Sequence, residues 1–76
     1  MNVRVTNTHS DGTNKAALRV YLDGIKIVEL FINTWSPKKY IKDHPDSRYR
    51  YIAVETMRRH RISDQVIFKE LGLDGK

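Results

Sequence analysis

Seventy-six residues leave room for one domain with one small core, in which roughly 60% of the unfolded surface is buried. Hydrophobic residues at 39% and charged residues at 30% are the proportions of a folded globular chain, and the absence of cysteine excludes disulfides and thiolate metal sites and fits a reducing cytosol. The net charge of +5 is local: residues 37–61 carry eight Lys and Arg against three Asp and Glu, while the rest of the chain is close to balance. Such clustering is the electrostatic footprint expected of a nucleic-acid binder.

Val3 and Val5 alternate with Asn2, Arg4 and Thr6, which predicts a short half-buried strand running into turn formers over Asn7–Lys15. Residues 16–22 and 25–33 are β-rich and flank Asp23-Gly24, the two-residue signal of a type I′ hairpin. That turn sets Leu22 opposite Ile25, Val20 opposite Ile27 and Leu18 opposite Glu29 on the core face, with Tyr21 opposite Lys26 and Arg19 opposite Val28 on the other. Strict alternation then turns Leu30 and Ile32 outward. Either a bulge near Glu29 resets the pleat or both faces of the third strand are covered.

Trp35 follows that strand and is expected to close one end of the core. The sharper alternative is an apolar patch with Leu30, Phe31 and Ile32, a surface for a partner or for a homodimer. Ser36-Pro37 reads as the cap and first position of a short helix through Tyr40 and Ile41, stopped by Pro45. Asp46 or Ser47 caps the main helix, which runs to about His60. At 100° per residue Tyr49, Ile52, Ala53, Thr56, Met57 and His60 share its apolar face. Arg50, Arg58 and Arg61 group on one flank of that face, and Arg48 and Arg59 on the other beside Glu55. From Ser63 the chain reads as a two-turn helix stopped at Gly72, although Val66, Ile67 and Phe68 also suit a strand. The expected fold is α+β: a three-stranded antiparallel sheet with one main helix and short flanking helices on one face, as a single domain over residues 1–76.

Arginines fixed on one helix reach successive phosphates and release their counterions. The expected binding set is Lys38, Lys39, Lys42, Arg48, Arg50, Arg58, Arg59 and Arg61, with Tyr51 adding stacking on bases and Tyr49 more at home in the core. The plain alternative is a solvated helix face, since Lys and Arg belong at surfaces. No zinc-finger Cys/His set, aromatic strand motif or Gly-x-x-Gly clamp occurs. The run ISDQVIFKELGL faintly suggests a helix-turn-helix entry, with no recognition helix after it.

For catalysis there is little material. His9, His44 and His60 have no metal-ligand spacing, Asp43-His44-Pro45-Asp46 reads as turn and cap rather than a cation loop, and Ser10, Ser36, Ser47 and Ser63 precede turns or helices that they cap. No enzyme activity, metal or cofactor is expected. No tract approaches the ~18 apolar residues of a membrane span, and Met1–Ser10 lacks the apolar run of a signal peptide, so a cytoplasmic protein is expected. Two functions fit: a small basic nucleic-acid-binding accessory or regulatory module for DNA or RNA, or a protein-binding inhibitor or adaptor of the mobile-element or phage type that docks on an acidic surface of a host protein complex.

Overall fold

The computed structural model describes residues 2–8 and 16–73. Its strands are β1 (Val3–Asn7), β2 (Ala16–Leu22) and β3 (Ile25–Ile32), and its helices are α1 (Pro37–Asp43), α2 (Arg48–Arg59) and α3 (Asp64–Leu71). The sheet is antiparallel with order β1-β2-β3, so the fold is α+β as the pattern predicts. Residues 9–15 of the expected turn-forming run, His9 and Ser10 among them, lie outside the described residues.

Asp23 at φ 52° and Gly24 at φ 85° both occupy the left-handed region, which is the type I′ geometry. The turn is also tied to β1, since Asn2 N–H donates to Asp23 Oδ1 at 2.7 Å and Asp23 N–H to the Asn2 carbonyl at 2.7 Å. From the turn outward Leu22 pairs with Ile25 and Tyr21 with Lys26, as expected; then Val20 pairs with Val28, Arg19 with Glu29 and Leu18 with Leu30. Ile27 is therefore the extra residue of a β-bulge, two positions before Glu29.

The bulge corrects the expected pairings of Val20 with Ile27, Leu18 with Glu29 and Arg19 with Val28. The physical reason is the pleat: one inserted residue turns Val28, Leu30 and Ile32 inward and lets Glu29 point out beside Arg19. Val28, Leu30 and Ile32 are 6%, 9% and 3% exposed, so they form core and not a patch. Leu30 and Ile32 thus drop out of the expected apolar patch, whereas Phe31 stays 57% exposed. Trp35 is 64% exposed and does not seal the core, again contrary to expectation.

Each helix begins on a serine. Ser36, Ser47 and Ser63 accept from the N–H groups of Lys39, Arg50 and Val66 respectively, and Pro37 takes the first position of α1, where no N–H is needed. Asn7, at the end of β1, adds a long-range fastening: its Nδ2 donates to Ser36 Oγ at 3.1 Å and its Oδ1 accepts from Lys38 N–H at 2.9 Å. The last residue of the first strand thus helps to cap a helix some thirty residues later. The tail is helix and not strand, ending at Gly72 with φ 76°.

The three helices close over one face of the sheet. One cluster joins Leu18, Val20, Val28, Leu30 and Ile32 to Ile41 of α1, Ala53, Val54 and Met57 of α2, and Ile67 and Leu71 of α3. On α2 the buried stripe is Ala53, Val54 and Met57; Ile52 is 37% exposed and His60 is exposed. The helix is therefore turned by roughly one residue from the face its periodicity predicts. Ile52 and Val54 point to opposite sides of a helix, and packing against β3 and α3 buries the second.

Candidate functional site

The turn of α2 redistributes the arginines. Arg48 and Arg59 lie within 20° of each other around the axis and about 16 Å apart along it, by helix geometry. They mark the centre of the solvent face and not a flank. Between them on that face are Tyr51, 66% exposed, Ile52 and Glu55. Arg50 falls on the buried side of the first turn and is half-buried, with its N–H donating to Ser47 Oγ at 3.0 Å. Tyr49 packs against the core, and its ring meets Tyr40 edge-on at 6.1 Å, while Tyr40 stacks on His44 at 4.2 Å.

Arg58 is committed elsewhere. Its Nε and Nη2 each donate to an Asp64 oxygen at 2.9 Å and its Nη1 to Glu55 Oε2 at 2.9 Å, a two-pronged grip that ties α2 to the first turn of α3. Asp64, and secondarily Glu55, hold this guanidinium charged; in return Arg58 keeps the Asp64 carboxyl below the ordinary carboxylate range. Arg61 lies beyond the end of α2 at φ 64°, where Ile62 N–H reaches back to the Met57 carbonyl at 3.2 Å in a Schellman-type turn. It lines an open groove of about 460 Å³ with Asn2, Val3, Ile62, Ser63, Val66 and Glu70. Arg50 and Arg61 thus sit at opposite ends of α2, with Arg58 bound between them, and the expected single patch of the three does not form.

The lysines of α1 gather around the end of α3. Lys38, Lys39 and Lys42 line a shallow depression of about 290 Å³ with Asp43, Leu71 and Gly72. A cationic rim there suits the negative end of the α3 dipole. Lys39 pairs with Asp43 at 2.8 Å, and this bond draws the Asp43 carboxyl below its usual value. Asp43 is occupied in this way, and among the described residues no three His, Asp or Glu side chains come together as a metal site.

The remaining cations of the expected set, Lys38, Lys42, Arg48, Arg50, Arg59 and Arg61, have no ion-pair partner among the described residues. Two of them occupy the first turn of α2, Arg48 at its first position and Arg50 at its third, and no acidic residue is present there. Sequence pattern located this charge but not its orientation, because it cannot tell which cations a carboxylate on a neighbouring element will engage. On the opposite side of the sheet Arg4 lies over the Tyr21 ring at 4.9 Å and Arg19 over the Phe31 ring at 5.8 Å. These cation and ring pairs went unmarked in the sequence; the alternation of Arg4, Arg19 and Tyr21 with core residues is the signal that points to them. No helix among the described residues is long and apolar enough to cross a membrane. Comparison of the chain with protein-family models, curated proteins and solved structures finds no match in any of the three.

Proposed function

We propose that this protein is a small nucleic-acid-binding accessory or regulatory module that grips the sugar-phosphate backbone through the first turn and solvent face of α2. The observation that carries the reading is the pair Arg48 and Arg50 at the positive end of the helix, where both the dipole and capping chemistry favour Asp or Glu. A cation there costs about 0.3–1 kcal/mol of helix stability, so its use is sought outside the fold. Arg48 shares a line with Arg59, and exposed Tyr51 between them offers a ring to a base. A polyanion is the partner class that engages several unpaired guanidinium groups at once.

The test is binding to labelled duplex DNA, single-stranded DNA and structured RNA across a salt series. Arg48→Ala and Arg59→Ala each lower the slope of log K against log salt by about 0.7–0.9, the value of one phosphate contact. Arg58→Ala lowers stability and leaves that slope unchanged. Arg50→Glu, which completes a capping box with Ser47, raises stability by about 0.5–1 kcal/mol while weakening binding. Absence of salt-dependent binding to all three nucleic acids overturns the reading.

One observation favours the second reading, an inhibitor or adaptor docking on an acidic protein surface. Tyr51 and Ile52 are neighbouring exposed apolar groups beside Glu55, a mixture suited to a protein interface. A stoichiometric protein partner retained after exhaustive nuclease treatment selects this reading, and loss of all bound material selects the first.

A further inference from the structure

The face of the sheet turned away from the helices carries its own chemistry. Arg4 projects there from β1, Arg19 and Tyr21 from β2, and Lys26, Glu29 and Phe31 from β3. Three cations stand against one carboxylate, and that carboxylate is shared: Arg19 Nε donates to Glu29 Oε2 at 2.7 Å and Lys26 Nζ to Glu29 Oε1 at 3.1 Å. Arg4 has no acidic partner among the described residues. The face is positive overall and its cations are held in place.

The rings give the face a second property. The Arg4 guanidinium lies over Tyr21 and that of Arg19 over Phe31, and Phe31 is 57% exposed. A guanidinium held against a ring makes a flat, partly apolar platform with fixed charge. Tyr21 and the β2 partner of Phe31, Ala17, are four residues apart, which puts the two platforms ~13 Å apart along the strands. At ~3.4 Å per stacked nucleotide that interval spans about four nucleotides.

We infer that the open sheet face is a binding surface for single-stranded nucleic acid, with Arg4, Arg19 and Lys26 meeting phosphates and the platforms at Tyr21 and Phe31 meeting base faces. The positive charge selects an anion, and the rings select the kind of anion. A duplex buries its base faces in its own stack, whereas a single strand presents them to an aromatic surface. This surface lies on the other side of the molecule from α2, and its fate is separable from that of the α2 reading.

The experiment is a titration of the uniformly ¹⁵N-labelled full chain, followed by NMR, with a mixed-sequence single-stranded decamer and with the same decamer annealed to its complement. The single strand is expected to move the amide signals of residues 4, 19, 21, 26 and 31. Phe31→Ala weakens single-strand binding at least about fivefold, the loss of one stacked base. Glu29→Gln tightens it at low salt, because it removes the carboxylate that Arg19 and Lys26 share. Since Phe31 is exposed its truncation leaves the core intact; Arg4→Gln provides a second reading of the same surface, with a smaller salt slope.

Shifts confined to residues 48–61 overturn this inference and leave the α2 proposal standing. Shifts confined to the strands support it and count against α2. No shift with either probe overturns this inference and leaves the α2 reading to its structured-RNA arm. Equal strand shifts with the duplex, or unchanged affinity in Phe31→Ala, overturn the assignment to single strands.

Discussion

At φ 64° Arg61 adopts a conformation that costs an L-residue with a side chain roughly 1–2 kcal/mol, at a position where helices usually end on glycine. Gly72 occupies the equivalent position after α3 at φ 76°, so the same chain solves the same problem in two ways. Glycine relieves the strain but loses more backbone entropy on folding, about 0.5–1 kcal/mol. Arg61→Gly is accordingly expected to raise stability by about 0.5–1 kcal/mol in urea unfolding. If Arg61 also meets a phosphate, the same variant lowers the salt slope of nucleic-acid binding by about 0.7–0.9. A less stable variant shows instead that the guanidinium is held by the groove around Asn2 and Glu70. Arg58 is the contrasting residue, because each of its three nitrogens already donates to Asp64 or Glu55.

Among the elements, β3 shows most clearly how one residue controls a face. The bulge makes Ile27 the residue without a partner on β2, and Ile27 packs on the core only in part. Deleting Ile27 restores a regular ladder in which Lys26 still points out and Val28 still points in, at a loss of about 1 kcal/mol for its half-burial. Deleting Glu29 also removes the need for a bulge, since Ile27 can then face Val20 and Val28 face Arg19 while Leu30 and Ile32 stay inward; the cost is the exposure of Val28, about 1–2 kcal/mol, less what Ile27 regains. Circular dichroism and urea unfolding are therefore expected to find both deletions folded; loss of the fold in the Ile27 deletion would remove the bulge from the account. The bulge also bears on what the sequence reveals. Turn chemistry is local, so Asp23-Gly24, the three serine caps and the stop at Gly72 are all legible. The conflict between the pleat and Leu30 and Ile32 announces a bulge, but its position depends on which residue of β3 the helices cover. The orientation of α2 fails for a related reason, since Ile52 and Val54 face opposite ways and only packing decides between them. The basic segment is legible as composition, whereas its division into paired Arg58 and Lys39 and unpaired Arg48 and Arg59 depends on acids in neighbouring turns and on the next helix.

For the whole molecule, the carboxylates held in ion pairs set how it meets acid. Glu29 is drawn below its ordinary value first by Arg19 and then by Lys26, Asp43 by Lys39 and Asp64 by Arg58. A carboxyl with a folded pKa below its unfolded one contributes stability in full above the unfolded value, near 4, and loses it as pH falls through the folded value. All three act in the same direction, so stability is expected to hold through neutral pH and to fall below about pH 4. A second effect adds to the first: protonating the nine acids turns a net charge of +5 into one set by fourteen Lys and Arg together with the histidines. Self-repulsion in a chain with so small a core then opposes the compact state. The two causes separate with salt. At pH 3 the ion pairs are already weakened and repulsion dominates, so about 0.5 M NaCl raises the melting temperature by shortening the Debye length to a few ångströms. At pH 7 the same salt weakens attraction and repulsion together and shifts melting little. Melting curves between pH 2 and 7 at both salt levels check this. Stability that stays flat to pH 2 would show that Glu29, Asp43 and Asp64 do not favour the folded state, and a fall that salt does not reverse would assign it to the lost pairs alone.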